Sequence, residues 1–380
     1  MVNEADRERA CVREEIEQAR AGVPGELYAR TLEGIEPANE AARDAARAQW
    51  DGVAHPLGGL GALETTVARI AAVQRTPDVS AAPRALAVFF ADNGVVAEGV
   101  SQSGQDVTGA VARNMCEGAT SACRMAAFAG CAVVPIDVGM ASPVGDTRMI
   151  CANVARGSGN IAKGAAMSRE EALRAVEAGI ACAAGLARAG VRLVAGGEMG
   201  IGNTTTSAAV ASALLGVSAE RTCGRGAGLG ADGLSRKRAV VERAIRVNAP
   251  DAADPLDVIA KVGGFDIAAL AGFYLGAAYH KVPAVLDGVI SCVAALAAVR
   301  ACPCARDYLI ASHASSEPAA RLLLRELALD APLQAGMHLG EGAGAMAFLP
   351  LIDSALCVYR EGKTFSATGM QAYRRFEDAR

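Results

Sequence analysis

Aromatic residues are scarce in this chain: one Trp, six Tyr and eight Phe among 380 residues. That leaves no stacking platform for exposed bases. A formal net charge of −4 offers no basic footprint for a phosphate backbone, so nucleic acid is not an expected partner. With four histidines and no cluster of His, Asp and Glu at ligand spacing, no metal site is expected. An Asp-Asp pair of the kind that holds a magnesium–pyrophosphate donor is also missing. Since no apolar run reaches about eighteen residues, no membrane span is expected. The charged, helix-like stretch at residues 3–9 does not read as a signal peptide, and the chain is expected to be cytoplasmic. Paired Cys-x-x-Cys motifs are lacking. The eleven cysteines lie scattered in Ala-rich surroundings, with Cys302-Pro303-Cys304 the one close pair. An odd count so placed reads as small buried hydrophobes rather than a disulfide framework.

What the chain does have is small apolar residues and 42 glycines, ordered in a near-regular alternation. Residues 4–50 read as two or three amphipathic helices, broken at 22–25 and near Pro37. A turn-rich linker at 55–61 precedes a helix from Leu63 to about Val73. Strand-like runs follow at 85–90, 131–138, 191–195, 284–287 and 308–311. Helices are expected around 107–128, over 168–189 behind a capping box at Ser168, from 207, over 234–247, over 268–275 and over 289–299. The tail, 343–380, reads as partly helical and is expected to pack on the N-terminal helices. Strand and helix in alternation predict an α/β fold with a doubly wound parallel sheet. Ligands bind outside the C-terminal ends of such strands. The polar clusters Asp92-Asn93-Gly94, Glu198, Asp287-Gly288 and Ser312-His313 fall at those ends.

The most pointed stretch runs from Gly196 to Ser207. It places one carboxylate, Glu198, in a bed of four glycines, with Asn203 and Thr204, Thr205, Thr206 and Ser207 behind. Glycine lets backbone N–H groups approach an anion closely. A strand, a glycine loop and a helix N-terminus form the usual cradle for a phosphate. The loop is no Walker motif, and an acid stands where a bound pyrophosphate would be repelled. Chemistry on a phosphorylated sugar fits better. A ligand-free strand-to-helix turn is the plain alternative.

A second glycine–acid loop runs from Met337 to Ala345, with Glu341 between glycines and a helix ahead. Its carboxylate can accept a proton from a bound base; a helix-capping acid is the plain alternative. Ser312, His313, Ser315, Ser316 and Glu317 form a third cluster, with hydroxyls suited to phosphate but no triad partners. A fourth joins the glycines at 224–228 to the basic run Arg236-Lys237-Arg238.

These loops, in this order, resemble the nicotinate-nucleotide–dimethylbenzimidazole phosphoribosyltransferase family, from about residue 50 onward. The likeness rests on Asp92–Val95 through Glu98–Ser101, the Gly197–Thr205 loop, the run Gly263–Gly272, Leu286-Asp287-Gly288, Ser312-His313 with Glu317-Pro318, and Leu339–Gly342. The resemblance implies a Rossmann-like domain, 61–345, and a small helical domain built from both chain ends, 1–60 with the tail 346–380. It also implies a homodimer, and activity without metal or cofactor. The expected substrates are nicotinate mononucleotide and an aromatic base, giving nicotinate and an α-riboside phosphate for the nucleotide loop of cobalamin. Glu341 falls on the family's proton acceptor, and Glu198 on the acid across the reaction centre. Gly200, Gly202, Ser315 and Lys237 fall on phosphate contacts. Asn203, Thr204, Ser312, Leu339, Gly340, Asp92, Ser101 and Gln105 complete the expected substrate-binding set. Asn93 stands where His is usual, and residues 101–105 replace a segment with an aromatic and a proline. His55, His338 and Ala343 replace Lys, Arg and Ser. These departures bear on the acceptor, leaving open a purine, a phenol or a paralogue that binds without turnover.

Overall fold

The computed structural model describes residues 4–374; the outermost residues of both expected small-domain segments lie outside them. Six parallel strands form one sheet: β1 (Arg84–Ala91), β2 (Ala132–Gly139), β3 (Ile150–Cys151), β4 (Leu193–Met199), β5 (Ala284–Leu286) and β6 (Leu309–Ala311). Their order is β3-β2-β1-β4-β5-β6, as expected of the doubly wound class. Strands buried on both faces carry continuous apolar runs. In β1, Ala85, Ala87 and Phe89 face one core, while Leu86, Val88 and Phe90 face the other. Helices Arg169–Arg188 and Phe265–Tyr279 cover the first face. Helices Ala62–Gln74, Ser121–Phe128 and Ala343–Glu361 cover the second.

The strand order reverses between β1 and β4, and that switch point opens a crevice at their C-terminal ends. Asp92 follows β1, and Glu198 lies at the end of β4.

Several expected boundaries move. The single helix at 107–128 is two helices, Asp106–Cys116 and Ser121–Phe128, parted at Gly118 and restarted by the Thr120 side chain, which accepts from the Cys123 N–H. β3 is a two-residue strand that carries no sequence signal of its own. The largest change is at the glycine loop. β4 continues through Gly196, Gly197 and Glu198, because pairing with Ala87, Val88 and Phe89 of β1 holds them extended. The helix then begins at Asn203, four residues earlier than expected. The loop proper is reduced to Gly200-Ile201-Gly202.

At the chain ends, helix Glu4–Ala21 lies along Arg169–Arg188. Glu177 of the latter accepts N–H groups of Gly25 and Leu27 at 2.9 and 3.0 Å. The third N-terminal helix, Glu40–Gly52, meets the tail. Trp50 and Tyr359 pack with ring centroids 5.1 Å apart, and Gln49 donates to the Tyr359 carbonyl. Helix Ala343–Glu361 is the one described helix long and apolar enough to cross a membrane, yet more than half of that span is buried in the protein.

Candidate active site

Glu198 stands near the end of β4, and Glu341 on the turn before helix Ala343–Glu361. The two come together because the Glu341 turn lies directly on β4. Its N–H donates to the Glu198 carbonyl at 3.2 Å. A side chain at Gly197 would meet the Glu341 backbone carbon at 2.7 Å, so only glycine lets the turn sit there. Gly340, Glu341 and Gly342 run at φ 84°, 59° and 83°. A left-handed glutamate is strained by about 1–3 kcal/mol and persists where its surroundings hold it. Asp287, just after β5, supplies the hold: it accepts the N–H groups of Gly342 and Gly344 at 3.1 and 2.7 Å.

Both glutamates line a cavity of about 230 Å³, together with Asp287, His313, Ser315, Glu317 and the Gly200–Gly202 turn. The site is rich in acid and poor in cation. Glu198 is 6 % exposed. Burial pushes its carboxyl well above the usual range, Asp266 and Asp287 push it further, and the Asn203 hydrogen bond opposes them. Burial likewise raises Asp266, to about 6, against its hydrogen bond from Asn203. Burial raises Asp287 against the pull of His313. Glu341, 9 % exposed, is raised by burial, with the Thr120 hydroxyl opposing; its Oε2 is buried without a partner. An unpartnered carboxylate oxygen on a residue that lines the cavity is suited to accepting a proton from a ligand.

Opposite the acids, helix Asn203–Leu215 presents its N-terminus. Gly202 caps it at φ 97° with no side-chain cap bond; the Asn203 and Thr205 N–H groups donate to the Gly200 and Gly202 carbonyls, which leaves those of Gly202 and Thr204 for an anion. Lys237 is fully buried behind this turn. Its Nζ donates to Thr204 Oγ1 at 2.9 Å, and burial lowers its pKa, with Glu317 opposing.

Of the expected residues, Glu198, Glu341, Gly200, Gly202, Asn203, Thr204, Ser315, Leu339, Gly340 and Ser101 line this cavity. Four do not. Lys237 reaches it through Thr204. Ser312 is fully buried and donates to the Leu286 carbonyl at 2.6 Å. Asp92 turns to the Ala141 N–H at 2.8 Å, and Gln105 to the Asn93 carbonyl at 3.3 Å; both brace the loops behind the pocket. Sequence reasoning assigned no role to Asp266 or Asp287. Asp287 was legible as an acid after a short strand, at the sheet end where ligands bind; Asp266, inside an apolar helix, gave no such signal. A larger cavity of about 610 Å³ lies between the first two helices and Arg169–Arg188; none of the expected site residues lines it. Among the described residues, no group of three or more His, Cys, Asp or Glu is arranged to hold a metal ion.

Comparison with known proteins adds independent findings. A family model described as phosphoribosyltransferase (DBI_PRT) matches residues 35–370. The chain is similar to nicotinate-nucleotide–dimethylbenzimidazole phosphoribosyltransferase of Acetivibrio thermocellus, 41% identical over 345 residues, covering 91% of this chain and 98% of that one. It is 44% identical over 346 residues to the protein of the same name from Desulforudis audaxviator, with coverage of 91% and 98%. Among solved structures, CobT from Thermus thermophilus superposes with a TM-score of 0.83 at 39% identity, covering 88% of this chain and all of that one.

Proposed function

The chain belongs to the phosphoribosyltransferase family whose model spans residues 35–370, and from that premise we propose that it moves 5-phosphoribose from nicotinate mononucleotide to an aromatic base in the assembly of the cobalamin nucleotide loop. The observation that carries this reading is the shared cavity with Glu198 and Glu341 on its walls and an uncapped helix N-terminus across from them.

The chemistry follows from charge. Nicotinate mononucleotide carries a cationic pyridinium on the sugar C1. When the C1–N bond breaks, its electron pair returns to the ring nitrogen, so the leaving group needs no proton. Positive charge grows on the ribose carbon, and the acidic wall of Glu198 and Asp287 stabilises it. The acceptor nitrogen attacks from the other face, forming the new C1–N bond with inversion to α. Glu341 takes the proton that the acceptor's second nitrogen must lose. The Gly200–Gly202 turn, the helix N-terminus, Ser315 and Thr204 backed by Lys237 hold the phosphate. Asn203, Gly340, Leu339 and Ser101 shape the rest of the pocket, while Asp92, Gln105 and Ser312 brace it from behind.

Leu339, 55 % exposed at the mouth, supports a reading in which a second copy completes the site. A homodimer is part of the proposal, as are a cytoplasmic location and a small domain paired from the chain ends. The test is turnover. Nicotinate mononucleotide is incubated with a panel of benzimidazoles, purines and phenols, and nicotinate release is followed by chromatography. Release that requires a base supports the transfer. Tight binding with no release from any acceptor favours a binding paralogue instead.

A further inference from the structure

Asn203 spends one amide nitrogen on two acids. Its Nδ2 donates to Glu198 Oε2 and to Asp266 Oδ2, the latter at 3.0 Å. Both carboxyls are buried, Asp266 completely, and two ionised carboxylates this close repel strongly away from water. The groups around the pair add no countercharge. Asp287 follows β5 and Glu341 precedes the last long helix; His313 pairs with Asp287, and the neutral amide of Asn93 lies beside Asp266. The two acids are not equivalent. Asp266 stands in the first turn of helix Phe265–Tyr279, and its Oδ1 accepts the Ile267 N–H at 3.0 Å; a helix N-terminus favours the anion. Glu198, on a strand, has no such support. Only Glu198 of the two faces the cavity.

We propose that Asp266 is a positioning residue that works through Asn203: it fixes the Glu198 carboxyl against the cavity and keeps a proton on it until a substrate with a cationic ring on its sugar arrives. The inference rests on the transferase reading, since that reading supplies the cation. The positive charge of the pyridinium nitrogen bonded to C1 then replaces the proton as Glu198's partner. The proton leaves to solvent, and Glu198 meets the reacting carbon as a carboxylate. Asp266 touches no substrate; it acts by charge and by holding Asn203.

Calorimetry on the full chain tests this. Nicotinate mononucleotide is titrated near neutral pH in two buffers of different ionisation enthalpy, which gives the protons released per site. Wild type is expected to release more protons than Asp266→Asn, where losing one of the charges that hold the proton on Glu198 leaves that carboxyl partly ionised before binding. The kcat of Asp266→Asn is expected to fall about 100-fold with KM little changed, as for a misaligned group. In Asn203→Ala the further Asp266→Asn change is expected to cost little more, because both cut one link. Equal proton release by the two proteins overturns the inference, as does full additivity in the double variant. If Asp266→Asn does not fold, wild type alone decides, and binding with no excess proton released overturns the proposal. A chain that binds and releases protons but turns over no base keeps the inference and loses the transferase reading.

Discussion

The Glu341 N–H donates to the Glu198 carbonyl across 3.2 Å, so two acids 143 residues apart in sequence (341 − 198) are joined main chain to main chain beneath the cavity their side chains share. The distance between them across a bound sugar is set by a strand and a turn. It does not depend on flexible loops.

Glu341→Gln keeps size and hydrogen-bonding reach but cannot take a proton. Turnover is expected to fall about 10²- to 10⁴-fold, the range for losing a general base, while KM for nicotinate mononucleotide stays within a few-fold. Steady-state kinetics of nicotinate release checks both numbers together. An equal loss in binding would make Glu341 a ligand contact only.

Gly197→Ala places a methyl 2.7 Å from the Glu341 carbonyl carbon. The turn must lift off β4, at about 1–3 kcal/mol of overpacking. Thermal unfolding is expected to show a lowered Tm. The kcat is expected to drop about 100-fold even where the protein remains folded. Unchanged kinetics would mean that the main-chain contact does not set the acid's position.

Burial raises the Glu198 pKa above its ordinary 4.5, so the folded state holds a proton that the unfolded chain gives up. This acid therefore costs nothing below its unfolded pKa. Its destabilising effect grows as pH rises and is complete above the folded pKa. Glu198→Gln is expected to be more stable than wild type by an amount that widens from about pH 5 to pH 8, on the order of 1 kcal/mol at the upper end, while activity collapses. Denaturant unfolding across that range measures the margin. A margin that shrinks with pH contradicts the burial argument.

Lys237 is buried, its nearest polar partner is Thr204 at 2.9 Å, and burial lowers its pKa from 10.5. Its charge therefore costs stability at neutral pH and is kept for the anion beyond Thr204. Lys237→Met is expected to raise KM for nicotinate mononucleotide about 10- to 100-fold, the worth of one charge-assisted hydrogen bond. The variant is expected to be no less stable than wild type. Equilibrium unfolding beside a KM measurement separates the two effects. A large stability loss with KM unchanged would make Lys237 a structural residue.

Much of the fold was readable because alternation of buried runs and periodic helices is a local signal. The helix Arg169–Arg188, with its capping box intact in the structure, shows this best. What was not readable depended on contacts far away in sequence. Gly196 and Gly197 look like loop residues, yet β1 holds them in the strand, and Leu270, Tyr274 and the Glu341 backbone occupy the space their side chains would need. The acids Glu198 and Glu341 announce themselves by glycine neighbours. Asp266 hides in an apolar helix, because its role is defined by Asn203, 63 positions earlier. Ser312 and Asp92 stand at short strand ends, which have room for only part of their polar residues to face the crevice, and Gln105 precedes helix Asp106–Cys116; all three turn to backbone groups behind the cavity.

The central claim is that an acceptor attacks the ribose carbon from the face opposite the departing nicotinate, between the two acids. The anomeric configuration of the product, read from the coupling and through-space contacts of its C1 proton by nuclear magnetic resonance, tests that most directly. An α-riboside phosphate formed from the β-nucleotide is the expected result. A β product, or a mixture of both anomers formed at the same rate, would contradict it.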